Sequence, residues 1–146
     1  MQHRITYQDY QIAAYSQGEG ETIIFLHGWP TNAQLWQAQV EALHSNYRVI
    51  TFDWLGFGAS DKPTEHTYTF TAQEEILDVV INELVSIDEK VTLIGHDIGG
   101  PPTILWASEN PERIARLILL NTVLYTLKTP LDAFSEYRFE SPITHK

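Results

Sequence analysis

An α/β fold with a mostly parallel sheet, opened by an antiparallel hairpin, follows from three features of the sequence. The runs "TIIFLH", "YRVITFD" and "KVTLIG" are β-branched and almost continuously apolar, as strands buried on both faces are. Segments of helical period separate these runs, and that alternation builds parallel sheets. Ahead of them, "RITYQ" and "QIAAYS" are β-prone and flank "DY", which reads as a tight hairpin turn.

The elements follow in order. "GEGE" turns the chain into "TIIFLH". After "GWPTN", the segment "AQLWQAQVEAL" repeats Leu35, Trp36, Val40 and Leu43 near helical spacing, with Thr31 or Asn32 as N-cap. "YRVITFD" is the next strand, and "WLGFGASDKPTEHTYT" is a connection rich in breakers. "FTAQEEILDVVINELVSI" is an amphipathic helix with Ile76, Leu77, Val80, Leu84 and Val85 on one stripe. "KVTLIG" is a strand, "GPPTILWASENPERI" a helix with Pro101 and Pro102 in its first turn, and "ARLILLNTVL" a last strand. Phe25, Leu26, Val49, Ile50, Val91, Leu93, Ile94 and Leu117 to Leu120 read as sheet core. The tail from Tyr125 has no strong period, so residues 1–124 are expected as core and 125–146 as the start of a cap or an irregular tail.

Bulk composition excludes several classes. With 19 acidic and 9 basic residues the net charge is −10, and no Lys/Arg cluster offsets it, so a nucleic-acid partner is not expected. No run of apolar residues is long enough to span a bilayer, and no membrane role is expected. Cysteine is absent and "MQHRITYQDY" lacks an apolar leader core, which together suggest a cytoplasmic protein. Neither metal-ligand spacing nor a phosphate loop or dinucleotide fingerprint appears, so no metal and no cofactor are expected.

The stretch that carries chemistry is "LIGHDIGG", residues 93–100. Gly95-His96-Asp97-Ile98-Gly99 has the G-x-nucleophile-x-G form of a strand-to-helix elbow, with an aspartate at the centre. Small flanking residues let the helix and a neighbouring strand approach, and the strained central residue is pushed clear of the sheet. The bland alternative is a capped turn, since the five-residue pattern alone arises by chance in on the order of a few per cent of such chains. Its placement between a strand and a helix, with "FLHGWP" at residues 25–30 upstream, favours the elbow.

Together "HGWPTNAQLW", "FDWLGFGASDKP", "LIGHDIGG" and "NPERIARLILLNT" make the chain resemble the α/β-hydrolase superfamily, in its aspartate-nucleophile branch of haloalkane dehalogenases and epoxide hydrolases. The resemblance runs from about residue 20 to about residue 125. It implies Asp97 as nucleophile, the backbone N–H groups of Trp29 and Ile98 as oxyanion hole, and His27, Gly28, Gly95, His96 and Gly99 as supporting motif residues. A carboxylate at this position would displace halide or open an epoxide, leaving an alkyl ester that water then hydrolyses. The implied partners are a small apolar organic substrate and water.

The resemblance also implies a base histidine and an acid after a helical cap, and no residue here occupies those places. His27 and His96 read as structural or turn residues, His44 and His66 as solvated helix-end and loop residues, and His3 and His145 as terminal. Asn121 stands where some relatives carry the acid. The chain is therefore expected to be the N-terminal half of such a fold, stopping before the last strands and most of the cap. It would then be inactive alone, with an exposed edge strand open to self-association or to a complementary C-terminal half. Ile98 replaces the halide-binding tryptophan of many dehalogenases, Trp29 reads as a core residue with an indole N–H offered from the opposite loop as the alternative, and Tyr125 and Tyr137 are not promoted to roles. Asp53 and Asp61 read as turn and strand-end residues, and Gly56 and Gly58 as backbone-permissive positions. Small organic halides are the leading substrate class. Epoxides are the alternative, and so are an incomplete scaffold and a ligand-binding pocket in which Asp97 merely caps.

Overall fold

The computed structural model describes residues 1–122. Within them six strands form one sheet: β1 (Gln2–Tyr7), β2 (Tyr10–Gln17), β3 (Thr22–Leu26), β4 (Arg48–Phe52), β5 (Val91–His96) and β6 (Ile114–Leu120), in the order β1-β2-β4-β3-β5-β6. The pairs β1–β2 and β2–β4 are antiparallel, while β3–β4, β3–β5 and β5–β6 are parallel. The hairpin turn is Gln8-Asp9 rather than Asp9-Tyr10. Tyr7 pairs with Tyr10, and Gln8 takes a positive φ of 53° to close the two-residue loop.

Among the described residues three α-helices cover the sheet: α1 (Gln37–Leu43) on one face, α2 (Phe70–Leu84) and α3 (Gly100–Glu109) on the other. The alternation along β3 builds both layers. Ile24 and Leu26 join Ile50, Phe52, Leu93, Ile76, Leu77 and Trp106 beneath α2 and α3, while Ile23 and Phe25 meet Trp36, Val49 and Ile94 beneath α1.

Several boundaries differ from the sequence reading. The first helical segment opens as a 3-10 turn, Ala33–Trp36, capped by Asn32, whose Oδ1 accepts from Gln34 N at 2.9 Å. Trp36 packs inward, but Leu35 is exposed, so the apolar stripe is narrower than its spacing suggested. Helix α2 stops at Leu84, leaving Ile87 in solvent. Helix α3 ends at Glu109, because Pro111 lacks the N–H to continue and opens a separate 3-10 turn.

Leu117, Ile118 and Leu120 are about two-fifths exposed rather than core, because among the described residues no strand lies beyond β6. The expected last strand runs on to Leu124. Val123, Leu124, the 125–146 segment, Tyr125, Tyr137 and His145 lie outside the described residues.

Helices α2 and α3 are tied by Trp106 Nε1, which donates to Asp78 Oδ1 at 2.9 Å. Glu74, half-buried beside this contact, has its carboxyl pushed up to about 7 by burial and by the neighbouring Glu109, Asp78 and Glu75. A carboxyl raised on folding holds stability below its unfolded value of 4.5, and that contribution is lost as the pH climbs through about 7. Glu74→Gln is therefore expected to raise the urea midpoint at about pH 8, with the gain shrinking towards about pH 4.5. Paired melts at the two pH values check this.

Candidate active site

The elbow forms where β5 hands over to α3. Asp97 adopts a left-handed φ of 52°, then a 3-10 turn over Asp97–Gly99 leads into the helix. For a residue with a Cβ, that conformation costs on the order of 1 to 3 kcal/mol, so its surroundings must hold it. The glycines explain how the turn fits. A Cβ on Gly95 would lie 2.9 Å from Thr103 Oγ1 and 3.0 Å from Gly100 Cα, and one on Gly99 would lie 2.6 Å from the His27 carbonyl oxygen. Side chains at either position would drive α3 off the sheet.

Strand register brings the second loop alongside. Leu26 pairs with Gly95, so two residues further on Gly28 stands beside Asp97. A Cβ on Gly28 would lie 2.4 Å from Asp97 Cβ and 2.7 Å from Oδ1. One residue later, Trp29 N donates to Asp97 Oδ1 at 2.8 Å. Among the described residues no hydrogen bond reaches Oδ2. Loops leaving β3 and β5 depart to opposite faces of the sheet, and ligands of open α/β sheets bind at the strand ends where that reversal occurs.

The Trp29 amide is aimed by its own peptide. The Gly28 carbonyl shares a rigid plane with Trp29 N–H and points the other way. It accepts from Thr31 N at 3.0 Å, Thr31 Oγ1 at 2.8 Å and His27 Nδ1 at 3.0 Å. Thr31 therefore holds this loop, and the N-cap role falls to Asn32. His27 is fully buried, and its Nε2 accepts from Trp54 N at 3.1 Å, so the ring proton sits on Nδ1. Trp54 Nε1 returns a bond to the His27 carbonyl at 2.9 Å. The Trp29–Pro30 peptide is cis.

Behind these loops, buried Asp53 accepts from Ala33 N and Ala59 N, each at 2.7 Å, and a Cβ on Gly58 (φ 47°) would collide with its carboxylate. Gly56 also has a positive φ, of 89°. Asp61 Oδ2 accepts from Gln11 N at 2.8 Å. Asp53 ties two loop segments together and Asp61 ties its loop to β2, and neither aspartate is hydrogen-bonded to Asp97.

Two placements correct the sequence reading. Trp29 is 49% exposed, not a core residue, because its loop turns the indole away from the sheet. His66 is not solvated: its ring is set edge-on against Tyr7, Tyr10 and Tyr68, and burial lowers its pKa, with Glu75 opposing. His96 lies edge-on to Trp36, His44 ends α1, and His3 bonds Ser16 Oγ. No histidine among the described residues is hydrogen-bonded to Asp97. Ile98 packs against the core beneath α2 and α3, and Asn121 takes a φ of 42°. A separate cavity of about 520 Å³, between β2, β4 and α1, is lined by Tyr15, Gln17, Gln37, Glu41 and Thr51 and excludes Asp97. Among the described residues no group of three or more histidines and carboxylates is placed to hold a metal ion, and no helix is long and apolar enough to cross a membrane.

Sheet order, elbow and facing loop are together the arrangement of one family. The sequence profile of the alpha/beta hydrolase fold matches residues 21–145. The chain belongs to this family. Among relatives of this hydrolase-fold protein, the cis-3-alkyl-4-alkyloxetan-2-one decarboxylase of Shewanella oneidensis is 34% identical over 113 residues, 77% of this chain and 36% of that protein. The haloalkane dehalogenase of Agrobacterium fabrum is 35% identical over 114 residues, 78% of this chain and 36% of its own length. The chain thus spans just over a third of the length of these relatives. In three dimensions it is similar to the haloalkane dehalogenase DatA from Agrobacterium tumefaciens C58, with a TM-score of 0.76 and 32% identity over 85% of this chain and 42% of that one. The epoxide hydrolase CorEH gives 0.77 at 28% identity, over 84% and 42%.

Sequence reasoning missed what supports the site. Nothing local marks Thr122, whose Oγ1 donates to the Asp97 carbonyl at 2.6 Å, or Trp54 as partner of His27, since each contact joins segments 25 and 27 residues apart in sequence that meet only through strand pairing. The threonine of "HGWPT" was visible, but its part in holding the Gly28 carbonyl was not.

Burial lowers the His27 pKa, against the pull of the Gly28 carbonyl and Asp53. The ring is neutral when folded but takes a proton near 6.5 when unfolded, so its contribution is lost as the pH falls below about 6.5. His27→Phe should lose about 1 to 3 kcal/mol at neutral pH, from the buried Trp54 N–H left unpaired. Its urea midpoint should also drop less steeply than the wild type's on acidification, which denaturation series across that range measure.

Proposed function

We propose that Asp97 is the nucleophile of an enzyme that forms an alkyl ester on itself, in the manner of haloalkane dehalogenases. The contact of Trp29 N with Asp97 Oδ1 at 2.8 Å carries the reading. In a serine enzyme the oxyanion belongs to the substrate. In a carboxylate enzyme it develops on the nucleophile's own oxygen, so a donor already resting on Oδ1 stands where that charge will form. Oδ2 is then the attacking atom. It bonds to a tetrahedral carbon while that carbon's bond to halogen breaks, and halide leaves with the electron pair. Water next adds to Cγ of the ester and loses a proton to a base. The negative charge collects on Oδ1 opposite the Trp29 and Ile98 amides, and collapse releases the alcohol and restores the carboxylate with one oxygen from water. Loss of one oxyanion donor typically raises such a barrier by about 3 to 4 kcal/mol.

A second reading is favoured by Ile98. Partly buried against the core and without a side-chain N–H, its side chain offers no donor to a departing halide ion. A strained cyclic ether or lactone keeps its leaving oxygen tethered and needs no halide site, while the oxyanion that forms on opening takes its proton from a general acid or from water. Relatives named for oxetanone and epoxide substrates fit this alternative.

Incubation of the 146-residue chain with a primary alkyl bromide, and separately with a terminal epoxide, followed by intact-mass and peptide mapping, tests both. Alkylation of Asp97 by the bromide supports the first reading, a hydroxyalkyl adduct the second. Absence of either adduct at Asp97, or persistence of labelling in Asp97→Asn, overturns the proposal. Because no histidine among the described residues bonds Asp97, the ester is expected to accumulate; steady catalytic release of bromide would contradict that expectation.

A further inference from the structure

The elbow holds a second brace built like the one at Gly28. The Asp97 carbonyl and the Ile98 N–H belong to one peptide plane, so whatever fixes the oxygen also fixes the direction of the hydrogen. That oxygen accepts from the Gly100 backbone N–H and from Thr122 Oγ1, the latter at 2.6 Å. Gly100 leaves room for the contact: a Cβ there would fall 1.9 Å from Thr122 Oγ1 and 2.5 Å from its Cβ. Thr122 lies just past the end of β6, after Asn121, itself at a φ of 42°. Two left-handed positions, each just past the end of one of two adjacent parallel strands, are thus tied together by the hydroxyl of the residue that follows the second.

We propose that Thr122 is a positioning residue: its hydroxyl, donated to the Asp97 carbonyl, fixes the left-handed turn and directs the Ile98 amide towards the carboxylate's side of the elbow. This rests on the reading of Asp97 as nucleophile for its catalytic consequence, but not for its structural one. The Gly100 bond alone leaves the Asp97–Ile98 peptide held at one point by a 3-10 turn, a helical form with poorer hydrogen-bond geometry. The threonine adds a second point from a different strand. Only a residue with a short hydroxyl-bearing side chain supplies it, so serine is the conservative replacement and valine the isosteric one without the bond.

The test compares wild type with Thr122→Val and Thr122→Ser in two readouts on the full chain. The first is the rate of Asp97 alkylation by the alkyl bromide. The second is the ¹H–¹⁵N shift and hydrogen-exchange rate of the Ile98 amide. Valine should slow alkylation on the order of tenfold, because the turn that aims the Asp97 carboxylate loses one of the two hydrogen bonds that hold it, and should move the Ile98 signal and speed its exchange. Serine should restore both, while thermal melts stay close together. If valine alkylates at the wild-type rate with the Ile98 signal unmoved, the brace is wrong although the nucleophile stands. If wild type is never alkylated but valine still shifts the Ile98 amide and serine restores it, the brace stands and the nucleophile reading falls. Should the valine chain fail to fold, Thr122→Ala takes its place with the same outcomes.

Discussion

One hydrogen bond organises this molecule's chemistry: the Trp29 amide to Asp97 Oδ1. It joins residues 68 positions apart, and it exists only because β3 and β5 run parallel and in register, Leu26 against Gly95. A shift of one residue would turn alternate side chains to the wrong face and separate the two loops. The glycine at position 28 is a consequence of the same register, since a Cβ there would occupy the Asp97 side chain's space.

Rigidity comes from carbonyls rather than from the amides themselves. Three donors hold the Gly28 oxygen and two hold that of Asp97, and each carbonyl lies in the plane of a candidate oxyanion-hole N–H. Preorganised donors are effective because no reorientation is needed when charge develops. Burial keeps the supporting His27 neutral, so Nδ1 donates while Nε2 accepts, and a protonated ring could not fill both roles. Asp53 stabilises the next layer by accepting from the backbones of two loops.

Much of the fold could be read from pattern. The buried strand runs and most of the α2 stripe fall where period and composition put them, while the hairpin turns one residue earlier than expected and Val85 lies just past the end of the helix. Errors gathered at ends and edges. Helix α3 stops at a proline two residues past Glu109, and β6 looks like core in sequence but lies at the sheet's edge among the described residues. Hydrophobicity reports a preference for burial; it cannot report whether a neighbour is present. His66 failed in the reverse direction, since a histidine between polar residues gives no sign that three tyrosine rings will surround it.

By itself the sequence determined the family, the elbow around Asp97 and the loop that faces it, because these depend on residues a few positions apart whose sizes and torsions are set locally. Only the tertiary structure decided which oxygen of Asp97 is held, which way Trp29 points, and that Thr122 and Trp54 support the two loops. Those contacts pair side chains and peptides from different strands, and their partners are chosen by register and packing, quantities that no local run of residues contains.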